Sequence, residues 1–73
     1  MSSFWESQKE LIEVQKNKRE KVVVNQCTRQ GKEYLDFRIH AKKEDETYVP
    51  TSKGFNLELD AAKELLDAVL NKL

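Results

Sequence analysis

Between Val14 and Lys43 the chain carries nine basic residues, Lys16, Lys18, Arg19, Lys21, Arg29, Lys32, Arg38, Lys42 and Lys43, against three acidic ones, Glu20, Glu33 and Asp36. This local excess of positive charge sits in a chain of 13 basic and 13 acidic residues, whose remaining acids lie on the flanks and in the run Glu44-Asp45-Glu46. Ammonium and guanidinium groups gathered on one surface of a neutral protein can attract phosphate without making the whole molecule a polycation. A solvated face with no ligand fits the same charges. Enzyme chemistry finds few reagents here. His40 is the only histidine and Cys27 the only cysteine, so no Ser/His/Asp or Cys/His set can be assembled. There is no glycine-rich phosphate loop, and the Glu-Asp-Glu run lacks the spacing of a calcium loop. No Cys, His and acid cluster has metal-ligand spacing, so neither metal nor cofactor is expected. Cys27 reads as a small, half-buried apolar residue, and a reducing compartment is the simpler setting for it.

These side chains need a scaffold, and 73 residues allow one thin-cored domain. A chain of this size buries only roughly 60% of the surface its unfolded form exposes, which makes self-association a natural remedy. In "EYLDFRIH", Leu35, Phe37 and Ile39 alternate with Asp36, Arg38 and His40, the period of a half-buried strand. "KVVVNQCT" precedes it, and "RQGK" between them supplies a glycine for a tight turn, so residues 21–40 read as a β-hairpin. A polar connector leads to "TYV" and Pro50, which cannot donate a ladder hydrogen bond and belongs at a strand end or on an edge. After Gly54, Phe55, Leu57 and Leu59 resume alternation. Together these segments predict four strands in an antiparallel meander.

From Asp60, a plausible N-cap, the period becomes helical, with Ala62, Leu65, Leu66, Val69, Leu70 and Leu73 on one stripe. Phe4, Trp5, Gln8, Leu11, Ile12 and Gln15 partly follow a helical face, which predicts a short amphipathic helix over about residues 6–17 of an N-terminal extension, residues 1–20. Trp5 is left open between capping the core, meeting a partner and staying mobile. No stretch approaches the ~20 apolar residues of a membrane span, and the N-terminus does not read as a signal peptide. The expected location is cytoplasmic or nucleoid-associated, or nuclear in a eukaryote.

The run "YLDFRIHAKKEDETYVPTSKGFNLEL" resembles the core of the transcriptional coactivator family known as positive cofactor four, some of whose bacterial members are little more than a single-stranded-DNA-binding domain. The resemblance rests on Asp36-Phe37-Arg38, the charged turn from Ala41 to Glu46, Pro50, Lys53-Gly54, Phe55-Asn56-Leu57 and a terminal helix. It runs without a gap from about Tyr34 to Leu57 and more loosely from Lys21 to the end. It implies an α+β fold, a twisted four-stranded antiparallel sheet followed by a C-terminal helix over residues 21–73, paired into a two-fold homodimer whose β-ribbons form grooves for single-stranded DNA. The expected nucleic-acid contacts are Lys18, Arg19, Lys21, Arg29, Lys32, Arg38 and Lys53. The expected dimer interface comprises Phe55, Leu65, Leu66, Val69, Leu70 and Leu73.

Each contact has a plainer reading beside it. Arg38 can meet phosphate or bridge to Asp36 on its own face. Lys18, Arg19 and Lys21 can be solvated linker, Lys42 and Lys43 read as an exposed turn, and His40 as a strand-end surface residue. The chain also departs from the family: where tightly binding members present stacking aromatics, it has Arg29 and Ala41. Arg29 can stack on a base or meet phosphate, and Tyr34, Tyr48 and His40 are the rings left to stand in. Two functions follow, a homodimeric binder of single-stranded DNA or RNA acting in transcription, replication or repair, and a protein-interaction module on the same scaffold.

Overall fold

The sequence around Gly31 makes a two-residue hairpin turn. A computed structural model describes residues 4–73, with elements β1 (Ser7–Asn17), β2 (Glu20–Arg29), β3 (Lys32–Lys42), β4 (Tyr48–Glu58) and α1 (Leu59–Lys72). The strands form one antiparallel sheet in chain order, β1-β2-β3-β4. Between β2 and β3 the two turn residues, Gln30 and Gly31, take φ of 52° and 78°, the positive values that match a two-residue turn to the twist of its strands. At the β1–β2 turn the Asn17 side chain instead accepts a hydrogen bond from the Arg19 amide at 2.9 Å, an Asx turn that reverses the chain with no glycine.

Residues 7–17 form a strand, not the expected helix. The helical spacing of Leu11, Ile12 and Gln15 competes with the alternation of Ile12 and Val14 against Glu13 and Gln15. Ile12 and Val14 are set opposite Val24 and Val22 of β2, whose open edge offers backbone partners that a short isolated helix lacks. Pairing continues past the strand, with the Glu6 amide donating to the Thr28 carbonyl at 2.8 Å.

The fourth strand also differs from expectation. Of the two places expected for Pro50 it takes the edge and closes no strand, because "TYV" and "FNLE" belong to a single edge strand, β4. Pro50 is set opposite His40 and Gly54 opposite Arg38, so three residues, 51–53, face the single residue Ile39. This bulge is held by the Thr51 hydroxyl, which donates to the Ile39 carbonyl at 2.7 Å and accepts from the Lys53 amide at 3.2 Å. Gly54, at φ 155°, returns the strand to β3 so closely that a Cβ there would collide with the Phe37 carbonyl oxygen and lie 2.9 Å from the Arg38 Cα. Neither obstacle is a movable side chain. Gly54→Ala should therefore cost about 2–3 kcal/mol of stability in denaturant unfolding, and an unchanged unfolding midpoint would contradict this account of the bulge.

β4 runs directly into α1, so the N-cap is Glu58 and not Asp60, which lies in the first turn. Asp60 at the start and Lys72 in the last turn suit the helix dipole. The helix packs on β3 and β4 and buries Ala62 completely, while Leu35 is buried from the sheet. Val23, Cys27 and Asp36 are buried too, but register and alternation put them on the other face. On the helix side much apolar surface stays bare: Ile12, Val14, Val49 and Phe55 of the sheet, and Leu65, Leu66, Val69, Leu70 and Leu73 of the helix are exposed. Among the described residues no helix is long and apolar enough to cross a membrane.

Candidate nucleic-acid interface

Alternation along the central hairpin decides which cations share a surface. Arg29 is set opposite Lys32, Lys21 opposite His40, and Val23 opposite Arg38, so Lys21, Arg29, Lys32 and Arg38 all belong to the face away from α1. Their surroundings differ. Arg38 is committed within the protein: its Nε and Nη2 donate to the two Asp36 carboxylate oxygens at 3.2 and 2.8 Å, and its Nη1 donates to the Thr51 carbonyl at 3.3 Å. Lys21 donates to Glu13 at 2.8 Å and lies 4.5 Å above the centre of the Tyr48 ring. That hydrogen bond holds its ammonium pKa above the usual lysine value. Lys32 makes a longer, exposed pair with Glu58 at 3.5 Å, which contributes little.

Among the described residues Lys18, Arg19, Arg29 and Lys53 make no ion pair. Lys18 and Arg19 form the exposed tip of the β1–β2 turn, and the Lys42 amide donates to the Arg19 carbonyl at 2.7 Å. This bond brings Lys42 and Lys43 alongside Lys18 and Arg19, around a depression of about 510 Å³ that Glu44 and Glu46 border. Asp45 shapes the loop from within by accepting from the Thr47 amide and hydroxyl at 3.1 and 2.7 Å. Lys53 stands apart, exposed in the β4 bulge.

At the opposite, hairpin end of this face the N-terminal residues contribute rings. Phe4 meets Trp5 edge-on at 4.8 Å, Trp5 lies 5.2 Å from Tyr34, and the Arg29 guanidinium sits 4.0 Å over the Phe4 ring. Phe4 and Trp5 share a depression of about 550 Å³ with Asn25, Arg38, His40 and Asn56. His40 has its pKa lowered, first by burial and then by Lys21. Its neutral ring is therefore favoured in the fold, and the associated stability is complete above pH 6.5 and lost as pH falls through the depressed value. Burial, with the Asp36 charge adding to it, pushes the Cys27 thiol up to about 11, so Cys27 is a packing residue rather than a nucleophile.

Residues 14–68 match the family model of Transcriptional Coactivator p15 (PC4). The chain belongs to the PC4 family. Two crystal forms of BPSL1147, a PC4 homolog from Burkholderia pseudomallei K96243, have the same fold. The orthorhombic form has a TM-score of 0.78 at 23% identity, covering 96% of this chain and 95% of that one. The tetragonal form has a TM-score of 0.75 at 23% identity, covering 90% and 97%. No curated protein matches the chain. PC4 membership carries a nucleic-acid-binding or transcription-related role, in a family of DNA-binding coactivators rather than of enzymes.

Within this PC4 scaffold Arg38 has a structural duty that sequence left undecided. Asp36 is only 5% exposed, and both of its carboxylate oxygens accept from the Arg38 guanidinium. Removing that guanidinium strands a buried carboxylate, so Arg38→Ala should destabilise the protein by about 3 kcal/mol in chemical denaturation. A loss below about 0.5 kcal/mol would show that water replaces the guanidinium at Asp36. Any change in ligand binding by this variant must be read against that loss. Sequence reasoning read Lys42 and Lys43 as an exposed turn, left Trp5 open and set Phe4 on a helical face, so none of the four stood among the expected contacts. Their placement depends on which strand ends meet, and no local spacing reports that. The candidate dimer residues Phe55, Leu65, Leu66, Val69, Leu70 and Leu73 are all exposed in the single chain.

Proposed function

We propose that this PC4 family member binds single-stranded DNA with little sequence preference as a homodimer, serving transcription regulation or replication and repair. The observation that carries the reading is the cation cluster at one end of the sheet, where Lys18 and Arg19 lie without ion pairs beside Lys42 and Lys43. Such groups meet phosphate oxygens, which position a strand without reading its sequence. The polar face continues the cationic surface from there to Arg29 and Lys32, roughly ten residues or about 33 Å of strand away. The bare apolar face with α1 supplies the surface through which two copies pair.

A second reading, a protein-interaction module on the same dimeric scaffold, draws on the pairing of Lys21, Lys32 and Arg38 with Glu13, Glu58 and Asp36. Fluorescence anisotropy with labelled oligo-dT, its duplex form and an RNA strand of equal length separates the two. The expected order is single strand above duplex, with the RNA arm reporting selectivity for the sugar. No binding at about 50 mM salt with tens of micromolar protein would favour the interaction module.

A further inference from the structure

Three of the chain's six aromatic residues, Phe4, Trp5 and Tyr34, are gathered beside the cationic hairpin end. The rings lie on the face away from the helix, where Val23 and Cys27 are fully buried, yet packing does not use all of their surface. Phe4 remains 60% exposed, and one side of its ring carries the Arg29 guanidinium at 4.0 Å. Nor is the segment a loose end, since the Glu6 amide donates to the Thr28 carbonyl immediately after the two rings. The depression that Phe4 and Trp5 line also presents amides from Asn25 and Asn56, and its Arg38 guanidinium is held by Asp36. Exposed π surface and side-chain amides in one depression, with the Arg29 guanidinium against the Phe4 ring, fit a nucleobase attached to a phosphate: the ring stacks, an amide meets the base edge, and Arg29 meets the phosphate.

We propose that Phe4 and Trp5, docked on Tyr34 beside Arg29, form a base-stacking platform for single-stranded DNA. The proposal rests on the single-strand reading above and assigns the stacking to the N-terminal segment. A base enters from the exposed side of the rings, and Arg29 keeps the Phe4 ring oriented while holding a positive charge at the strand's backbone. The cation cluster at the other end of the sheet contributes phosphate contact only.

Trp5 is the only tryptophan, so its fluorescence reports directly on the platform. Titration of the whole protein with oligo-dT should quench that fluorescence with the same midpoint as anisotropy, whereas an abasic strand of equal length should bind more weakly and leave the emission unchanged. Trp5→Ala should weaken oligo-dT binding by about fivefold or more, the equivalent of one stacked base, and leave abasic binding in place, while Trp5→Phe restores most of the loss. Binding by anisotropy with no quenching in the unmodified protein, and equal affinity for Trp5→Ala, would overturn the platform and leave the single-strand reading standing. Tighter binding by Trp5→Ala would also overturn it, by showing that the segment covers the site. No binding of any strand by the unmodified protein would end both. Because the quenching measurement needs no variant, a folding defect in Trp5→Ala does not blunt the test.

Discussion

Replacing Leu66 by glutamate should disrupt the proposed homodimer of this protein. Leu66 is 44% exposed on the single chain, and Leu70 and Leu73 beyond it are 67% and 94% exposed, so the substitution has little internal packing to break. In the proposed homodimer these side chains leave water together with Phe55 and the bare part of the sheet. A carboxylate introduced there is stripped of solvent with no partner, at a cost on the order of 3 kcal/mol or more, which weakens association by a factor on the order of 100. Buried apolar residues are few among the described residues, Val23, Cys27, Leu35 and Ala62, so the monomer should be marginal. The thermal midpoint of the parent should accordingly rise with protein concentration. Light scattering should return about twice the 8.6 kDa chain mass for the parent, and either the monomer mass or an unfolded chain for Leu66→Glu. A parent mass near 8.6 kDa, or a Leu66→Glu dimer of unchanged affinity, would remove this face as an interface.

Reversing charge at Lys18 and Arg19 together should produce the largest loss of nucleic-acid binding. Both side chains are exposed and make no ion pair among the described residues, so the change should leave stability within about 0.5 kcal/mol of the parent. That separates it from Arg38, whose removal also strands Asp36. Contact with four phosphates through Lys18, Arg19, Lys42 and Lys43 implies a slope of log affinity on log salt of about −2.8 for a single strand. Raising salt from about 50 to about 200 mM should then weaken oligo-dT binding by roughly 50-fold. Losing two contacts should flatten the slope by about 1.4 and lower affinity at the lower salt by at least tenfold, uniformly across base sequences. An unchanged slope in the double variant would mean that the strand does not pass this end of the sheet. A salt-independent parent would mean that phosphate contact contributes little.

The parts of this protein legible from sequence are those written in local spacing. Alternation in "EYLDFRIH" defines the faces of β3. Gly31 marks the turn, and the 3.6-residue recurrence from Ala62 to Leu73 marks the helix. Asp36 and Arg38, two residues apart, had to share a face, which is why their bridge could be anticipated as one of two outcomes. The resemblance carried by Asp36-Phe37-Arg38, Pro50 and Lys53-Gly54 led to the family that the match over residues 14–68 establishes.

Other features depended on neighbours far along the chain. Residues 7–17 hold both helical and alternating patterns, and the open edge of β2 selects the strand. Pro50 looks like a terminator until Thr51 ties the bulge to Ile39 and lets β4 continue past it. Lys42 and Lys43 look like one exposed turn until the Lys42 amide meets Arg19 and makes a four-cation end with Lys18. Trp5, ambiguous on its own, is placed when Glu6 pairs with Thr28 and the ring comes to lie on Tyr34. Periodicity specifies which way a side chain faces relative to its own backbone, and sequence carries that information locally. What stands opposite it is set by the register of paired strands, where backbone hydrogen bonds between distant residues decide among local preferences of similar energy.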